Sequence, residues 1–110
     1  MGDGGEPTVR LAHHRSANRL TISLVGELDI GSAAELGQYV GGLRPLPESV
    51  TIDVSELSFV DSSGLRALTG VRSAALEDGA GAVALTGCSA SLRQLLALTG
   101  LATAFAGVED

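Results

Sequence analysis

The residues best equipped for chemistry lie together in Val60-Asp61-Ser62-Ser63-Gly64-Leu65. A carboxylate is followed by two hydroxyls and a glycine, just where a helical pattern begins. Asp and Ser are favoured helix N-caps, because their oxygens accept hydrogen bonds from the free amides of the first turn. Capping accounts for one or two of these residues but not for Gly64, since glycine inside a helix costs about 1 kcal/mol relative to alanine. Two readings stand. Either Gly64 lets the sheet or the preceding loop pack closely, or the helix start gives up stability to present a hydroxyl.

A hydroxyl in that place suits phosphorylation. A phosphate brings about −1.5 to −2 charge at pH 7, and a helix N-terminus favours an anion by roughly 0.3–1 kcal/mol. The modified domain is expected to stay folded while its surface changes charge where a partner would dock. Helical spacing separates the two serines. Leu65, Leu68, Val71 and Ala75 share a face toward the sheet, while Ser62, Arg66, Thr69 and Ser73 form a polar stripe. Ser63 falls on a flank of small residues with Ala67, Gly70 and Ala74. Ser62 is the better placed to meet another protein.

The rival chemistries are weaker. No G-x-S-x-G nucleophile elbow is present, and His13 and His14, adjacent on a strand, point to opposite faces and cannot share a metal. Asp53 at a strand end resembles a receiver-domain phosphoacceptor, but those domains need a lysine and this chain has none; all seven basic residues are arginines. The same lack excludes a Walker A loop. Cys88 precedes a helix cap, where a thiol gains some reactivity, although a lone cysteine is more often simply packed. No enzyme activity, metal or cofactor is expected.

The elements that must position these residues fit one domain of 110 residues. Residues 1–7 read as a flexible tail and 107–110 as an acidic end, leaving a domain over 8–106. Alternation at Val9, Leu11 and His13, then at Leu20, Ile22 and Leu24, predicts a hairpin, with Gly26-Glu27-Leu28-Asp29 ending its second strand. Ser32-Ala33-Ala34-Glu35 has the pattern of a capping box before a helix through Leu36, Tyr39, Val40 and Leu43, closed by Pro45 and Pro47. A strand at 50–54, a loop at 55–60, a helix at 61–76, a strand at 81–86 and a helix at 89–99 follow. Residues 101–105 add a short strand or turn. The order predicts an α/β fold with an N-terminal hairpin, a mixed β-sheet and helices packed against it.

Composition narrows the partners. The chain is 45% hydrophobic but 3% aromatic, with a formal charge of −6. It offers neither stacking platforms nor a basic surface for nucleic acid. No segment approaches the roughly 18 apolar residues of a membrane helix, the N-terminus lacks a secretory pattern, and one cysteine suits a reducing compartment. These features predict a cytoplasmic protein with no membrane insertion.

Gly26-Glu27-Leu28-Asp29, the strand at 50–54, Phe59-Val60-Asp61-Ser62-Ser63-Gly64-Leu65 and Leu98-Thr99-Gly100-Leu101 together resemble the STAS domains of bacterial anti-sigma factor antagonists. The resemblance runs from residue 8 to residue 105, with the elements in the family's order. It implies partner switching in a stress response. The unphosphorylated antagonist binds an anti-sigma factor that is itself an ATP-dependent serine kinase, and the sigma factor is released. The kinase phosphorylates the serine after the motif aspartate, here Ser62, and a PP2C-type phosphatase restores the active form. ATP then belongs to the kinase.

On the same resemblance Asp61 fixes the helix start and orients the hydroxyl. Gly64 lets the kinase approach the backbone, and Arg66 contacts an acidic partner surface or shields the phosphate. Ser63, the turn with Glu27 and Asp29, and the loop at 55–60 complete the contact surface of a chain expected to be monomeric when free. The alternative keeps the fold without the switch, as a STAS scaffold or a subunit of a transport complex.

Overall fold

In strand β2 (Arg19–Leu28) the buried residues Leu20, Ile22 and Leu24 alternate with half-buried Thr21 and Ser23, the period-two pattern of a sheet with one covered face. Strand β3 (Ser49–Val60) repeats it with Val50, Ile52 and Val54, and β4 (Ala82–Thr86) with Val83 and Leu85. With β1 (Val9–Ser16) they form a sheet of order β1-β2-β3-β4 in the computed structural model, which describes residues 8–108. The expected tail, 1–7, and residues 109 and 110 lie outside the described residues. β1 and β2 are an antiparallel hairpin, while β2–β3 and β3–β4 run parallel.

Parallel neighbours need crossovers, and helices supply them. Helix α1 (Ala33–Gly41) links β2 to β3, α2 (Ser62–Glu77) links β3 to β4, and α3 (Ala90–Leu98) follows β4. α1 and α2 pack on each other. Their buried residues, among them Leu36, Val40, Leu65 and Leu68, join the apolar face of the sheet in one core. This is the α/β architecture that the sequence predicts, with its hairpin and mixed sheet. The core is aliphatic, with Phe105 its one buried aromatic among the described residues.

Several boundaries differ from the sequence reading. β3 does not stop at Val54. Residues 55–60, expected as a loop, continue the strand and pair with β2 from Val25↔Glu56 to Leu28↔Val60, across two register shifts. Pairing with β4 ends at Asp53↔Thr86, so this extension has one neighbour, and exposed Ser55, Glu56 and Ser58 break the alternation. Gly26, in the tetrapeptide expected to end the second strand, lies inside β2 at φ +115°, where an added Cβ would meet the Thr8 carbonyl; only glycine suits this irregular position.

The capping box does not form either. Ser32 is the N-cap residue of α1 but makes no side-chain cap bond. Its buried hydroxyl instead donates to the Glu27 carbonyl at 2.9 Å and accepts from the Asp29 amide at 3.0 Å. His13 lies opposite buried Ile22 yet is exposed, because β1 is the edge strand; its Nδ1 is 2.6 Å from the Tyr39 hydroxyl. At the C-terminal end, residues 102–104 form a turn, Ala106 bridges to Ala84, and buried Val108 carries the packing past residue 106.

Away from the start of α2, charge ties its last turn to the chain after α1. Arg44 donates to both oxygens of Asp78 at 3.0 and 2.9 Å, and Asp78 also accepts from the Leu46 amide at 2.8 Å. The Arg44 guanidinium first, and the Leu46 amide second, hold the Asp78 carboxyl down from 3.8 to about 2. A carboxyl lowered by folding stabilises above its unfolded value, and that contribution is lost as pH falls through the folded one. Stability should therefore carry a component that disappears between about pH 4 and about pH 2 and is missing from Asp78→Asn. Urea midpoints measured through this window check it; equal pH slopes for the two proteins would refute it.

Candidate functional site

Helix α2 starts where β3 ends, and the end of β2 fixes how. The Asp61 amide donates to the Leu28 carbonyl at 3.3 Å. The Asp61 carboxylate accepts from the Gly64 amide at 2.9 Å, which makes Asp61 the N-cap. Gly64 is buried, and a Cβ there would overlap the same Leu28 carbonyl oxygen. The first turn of α2 thus lies directly on β2, and the close approach that Gly64 permits is taken up by the fold.

That contact sets the phase of the helix. Successive helical residues turn by about 100°, so with residue 64 inward, Ser62 and Arg66 each stand about 200° round and face outward. Both are exposed, whereas Asp61 and Ser63 are half-buried. Leu65, Leu68, Val71 and Ala75 are buried along the opposite side. Among the described residues the Arg66 guanidinium has no hydrogen bond or ion pair; the Thr69 hydroxyl meets this residue at its backbone carbonyl, donating at 2.7 Å.

The pairing Leu28↔Val60 brings the β2 end beside this turn. Glu27 is exposed opposite Phe59. Asp29 is half-buried and occupied: Oδ1 accepts from the Gly31 and Ser32 amides at 2.9 and 3.1 Å. It builds the β2–α1 turn. Asp61, Ser62, Ser63, Arg66, Glu27 and Asp29 therefore gather at one end of the sheet.

Three large apolar residues among those described are at least half exposed, and of these Ile30 escaped the sequence reading. Ile30, at the turn after Asp29, is 81% exposed, Leu98 is 77% exposed and Phe59 is 50% exposed. An apolar residue alone in the polar run Asp29-Ile30-Gly31-Ser32 was the available signal. Leu98 ends α3 beside Thr99, which lines an open groove with Ser62, Leu65, Arg66, Thr69 and Leu101.

The other candidates lie elsewhere. His13 and His14 are exposed on β1. Asp53 accepts from the Ser55 amide and hydroxyl at 3.0 and 2.7 Å. Cys88 is buried, and burial pushes its thiol up despite the opposing charge of Arg93, which disfavours the reactive thiolate. Among the described residues no group of three His, Cys, Asp or Glu gathers to hold a metal, and no helix is long and apolar enough to cross a membrane.

Two glycines of α2 should respond in opposite ways. Gly64→Ala forces a methyl group onto the Leu28 carbonyl and should destabilise by about 1–3 kcal/mol. Gly70→Ala meets nothing within 4 Å and should stabilise by about 0.5–1 kcal/mol through helix propensity. Urea unfolding of the two variants checks the signs; a neutral Gly64→Ala would contradict the packing described.

Comparison with known proteins gives a family match over residues 11–108, to the family described as Mlab, STAS domain. No curated protein matches the chain. Among solved structures it is similar to an anti-sigma factor antagonist from Mycobacterium paratuberculosis, at 24% identity and TM-score 0.74, over 89% of this chain and 83% of that one. It is also similar to the anti-sigma factor antagonist SpoIIAA in its unphosphorylated form, at 20% identity and TM-score 0.72, over 89% and 87% of the two chains. A sulfate transporter family protein from Wolinella succinogenes is similar at 19% identity and TM-score 0.67, over 78% and 70%. These likenesses share the mixed sheet and its helices. The family match spans nearly all of the described residues, and the chain belongs to the STAS domain family.

Proposed function

We propose that this protein is an anti-sigma factor antagonist that works by partner switching, with Ser62 as its phosphoacceptor. The observation that carries the reading is the phase of α2: inward packing of Gly64 turns the Ser62 hydroxyl outward on the first helical turn. A kinase can reach that hydroxyl without unfolding anything. The γ-phosphoryl group of ATP passes to Ser62 Oγ as the bond to ADP breaks, and the hydroxyl proton leaves to a base on the kinase. A PP2C-type phosphatase returns the serine by hydrolysis.

The unmodified surface has the makings of a docking site. Exposed Ile30 and Phe59 supply apolar contact, while Glu27 and Arg66 supply charge of both signs. The partner is an anti-sigma factor serine kinase, and its capture frees a sigma factor. If docking buries the serine, a phosphate there that meets no counter-charge on the partner weakens binding by about 3 kcal/mol, roughly a hundredfold. The protein itself performs no catalysis in this scheme, and it acts in the cytoplasm.

A second reading draws on the comparisons. The matching family is described by the name Mlab, and one similar structure is a sulfate transporter family protein. A STAS scaffold or transport-complex subunit would use the same surface without needing a neutral hydroxyl at position 62.

Phosphopeptide mass spectrometry on protein recovered from its native cells, with and without stress, separates the two. The expected result is phosphate on Ser62 that varies with conditions. Phosphate on Ser63 alone would move the site, and a well-covered peptide never modified would favour the scaffold or transport reading. Binding should follow the same logic, with Ser62→Ala retaining the kinase partner and Ser62→Asp losing it.

A further inference from the structure

We infer that Arg66 is the internal counter-ion of a phosphate on Ser62, so that one modification withdraws two features of the surface together, the neutral hydroxyl and the arginine. The inference rests on the phosphoacceptor reading above and adds what the phosphate meets. Residues four apart on a helix are surface neighbours, with about 5–6 Å between their Cβ atoms. Ser62 and Arg66 also line the same open groove. A phosphate on Ser62 Oγ presents three acceptor oxygens, and a guanidinium fork donates to two of them in parallel.

Among the described residues, the hydrogen bonds of the neighbouring groups leave Arg66 free on its helix. Arg72, on the same helix, already donates to the Ala104 carbonyl at 2.7 Å, Arg93 to the Cys88 carbonyl at 2.8 Å, and Arg44 to Asp78. In the groove itself, the Thr69 hydroxyl donates to the Arg66 carbonyl and the Thr99 hydroxyl to the Leu95 carbonyl at 2.8 Å. Their protons are committed. α2 has no acidic residue before Glu77, and the N-cap Asp61 carboxylate is engaged by the Gly64 amide at 2.9 Å. No existing contact has to break for the guanidinium to turn toward residue 62.

The consequence is a change in what the surface offers. Unmodified, the protein presents Arg66 to an acidic group on a partner, an uncommon offer from a chain of net charge −6. Modified, it holds that arginine within its own helix. The sum of charge at the two positions passes from one positive to about one negative. A partner that uses Arg66 therefore loses an ion pair as well as meeting a phosphate.

The test uses the full chain with phosphoserine installed at position 62 during synthesis, which makes it independent of any kinase. Phosphorus NMR then follows the second ionisation of the phosphate. A nearby cation favours the doubly charged form, and exposure keeps the effect modest. Arg66→Ala should raise the midpoint by about half a unit, and Arg66→Lys by less. Arg19→Ala, at the opposite end of β2, should leave it unchanged. Equal midpoints for the parent and Arg66→Ala would overturn the inference. So would an equal rise with Arg19→Ala, which would mark a general charge effect. Whether Ser62 is modified in cells bears on the phosphoacceptor reading alone.

Discussion

The Leu28 carbonyl governs how the end of the sheet that carries Ser62 is built. Its oxygen accepts from the Asp61 amide and occupies the place where a Cβ on residue 64 would lie. A helix that meets the sheet so closely has no freedom to rotate about its axis. Turning it by one residue would swing a Cβ into the carbonyl and lift Leu65 and Leu68 out of the core. Burial of such side chains is worth about 1.5–3 kcal/mol each, so the phase is held by several times the energy of any surface contact. The exposure of Ser62 is thus a consequence of core packing rather than a local preference of the serine.

The neighbouring turn is rigid for a different reason. Ser32 is the buried polar residue among those described, and a buried hydroxyl without partners would cost about 1–3 kcal/mol. It is satisfied by the Glu27 carbonyl and the Asp29 amide, while Asp29 gathers the amides of Gly31 and Ser32. The β2–α1 turn is therefore a closed hydrogen-bond network with little left over. Its outward products are the exposed side chains of Glu27 and Ile30. Two rigid elements, one held by apolar packing and one by polar satisfaction, meet across Leu28↔Val60.

Much of this could be read from the chain. The alternation in β2, the first half of β3 and β4, and the helical spacing of α2, gave the fold class and the outward face of Ser62. What escaped reading depended on neighbours far along the chain. Residues 55–60 form a strand because β2 offers them an edge, although their own pattern does not alternate. Ser32 looked like half of a capping box because Glu35 has the right spacing, yet the Glu27 carbonyl claims the hydroxyl. Gly64 stands out in the sequence as a residue that permits close packing, but nothing in the sequence points to the Leu28 carbonyl. The exposure of Leu98 depends on where α3 ends against the rest of the molecule, which no local pattern reports.

Under the proposed switch, this arrangement separates folding from recognition. The Ser62 hydroxyl makes no hydrogen bond that the fold uses among the described residues, and the helix N-terminus favours an anion by only about 0.3–1 kcal/mol. Adding charge there leaves the packing of Gly64, Leu65 and Leu68 untouched. A docked partner faces a different balance, because burying a phosphate, even one beside Arg66, strips it of water and costs several times as much. A phosphate at this position would therefore be nearly silent within the domain and large across an interface. A scaffold that never carried phosphate could keep the same helix phase, since Gly64 serves the packing in either case. Only the dependence of binding on a neutral residue 62 distinguishes the two uses, because the fold alone requires that position to face outward and asks nothing of its chemistry.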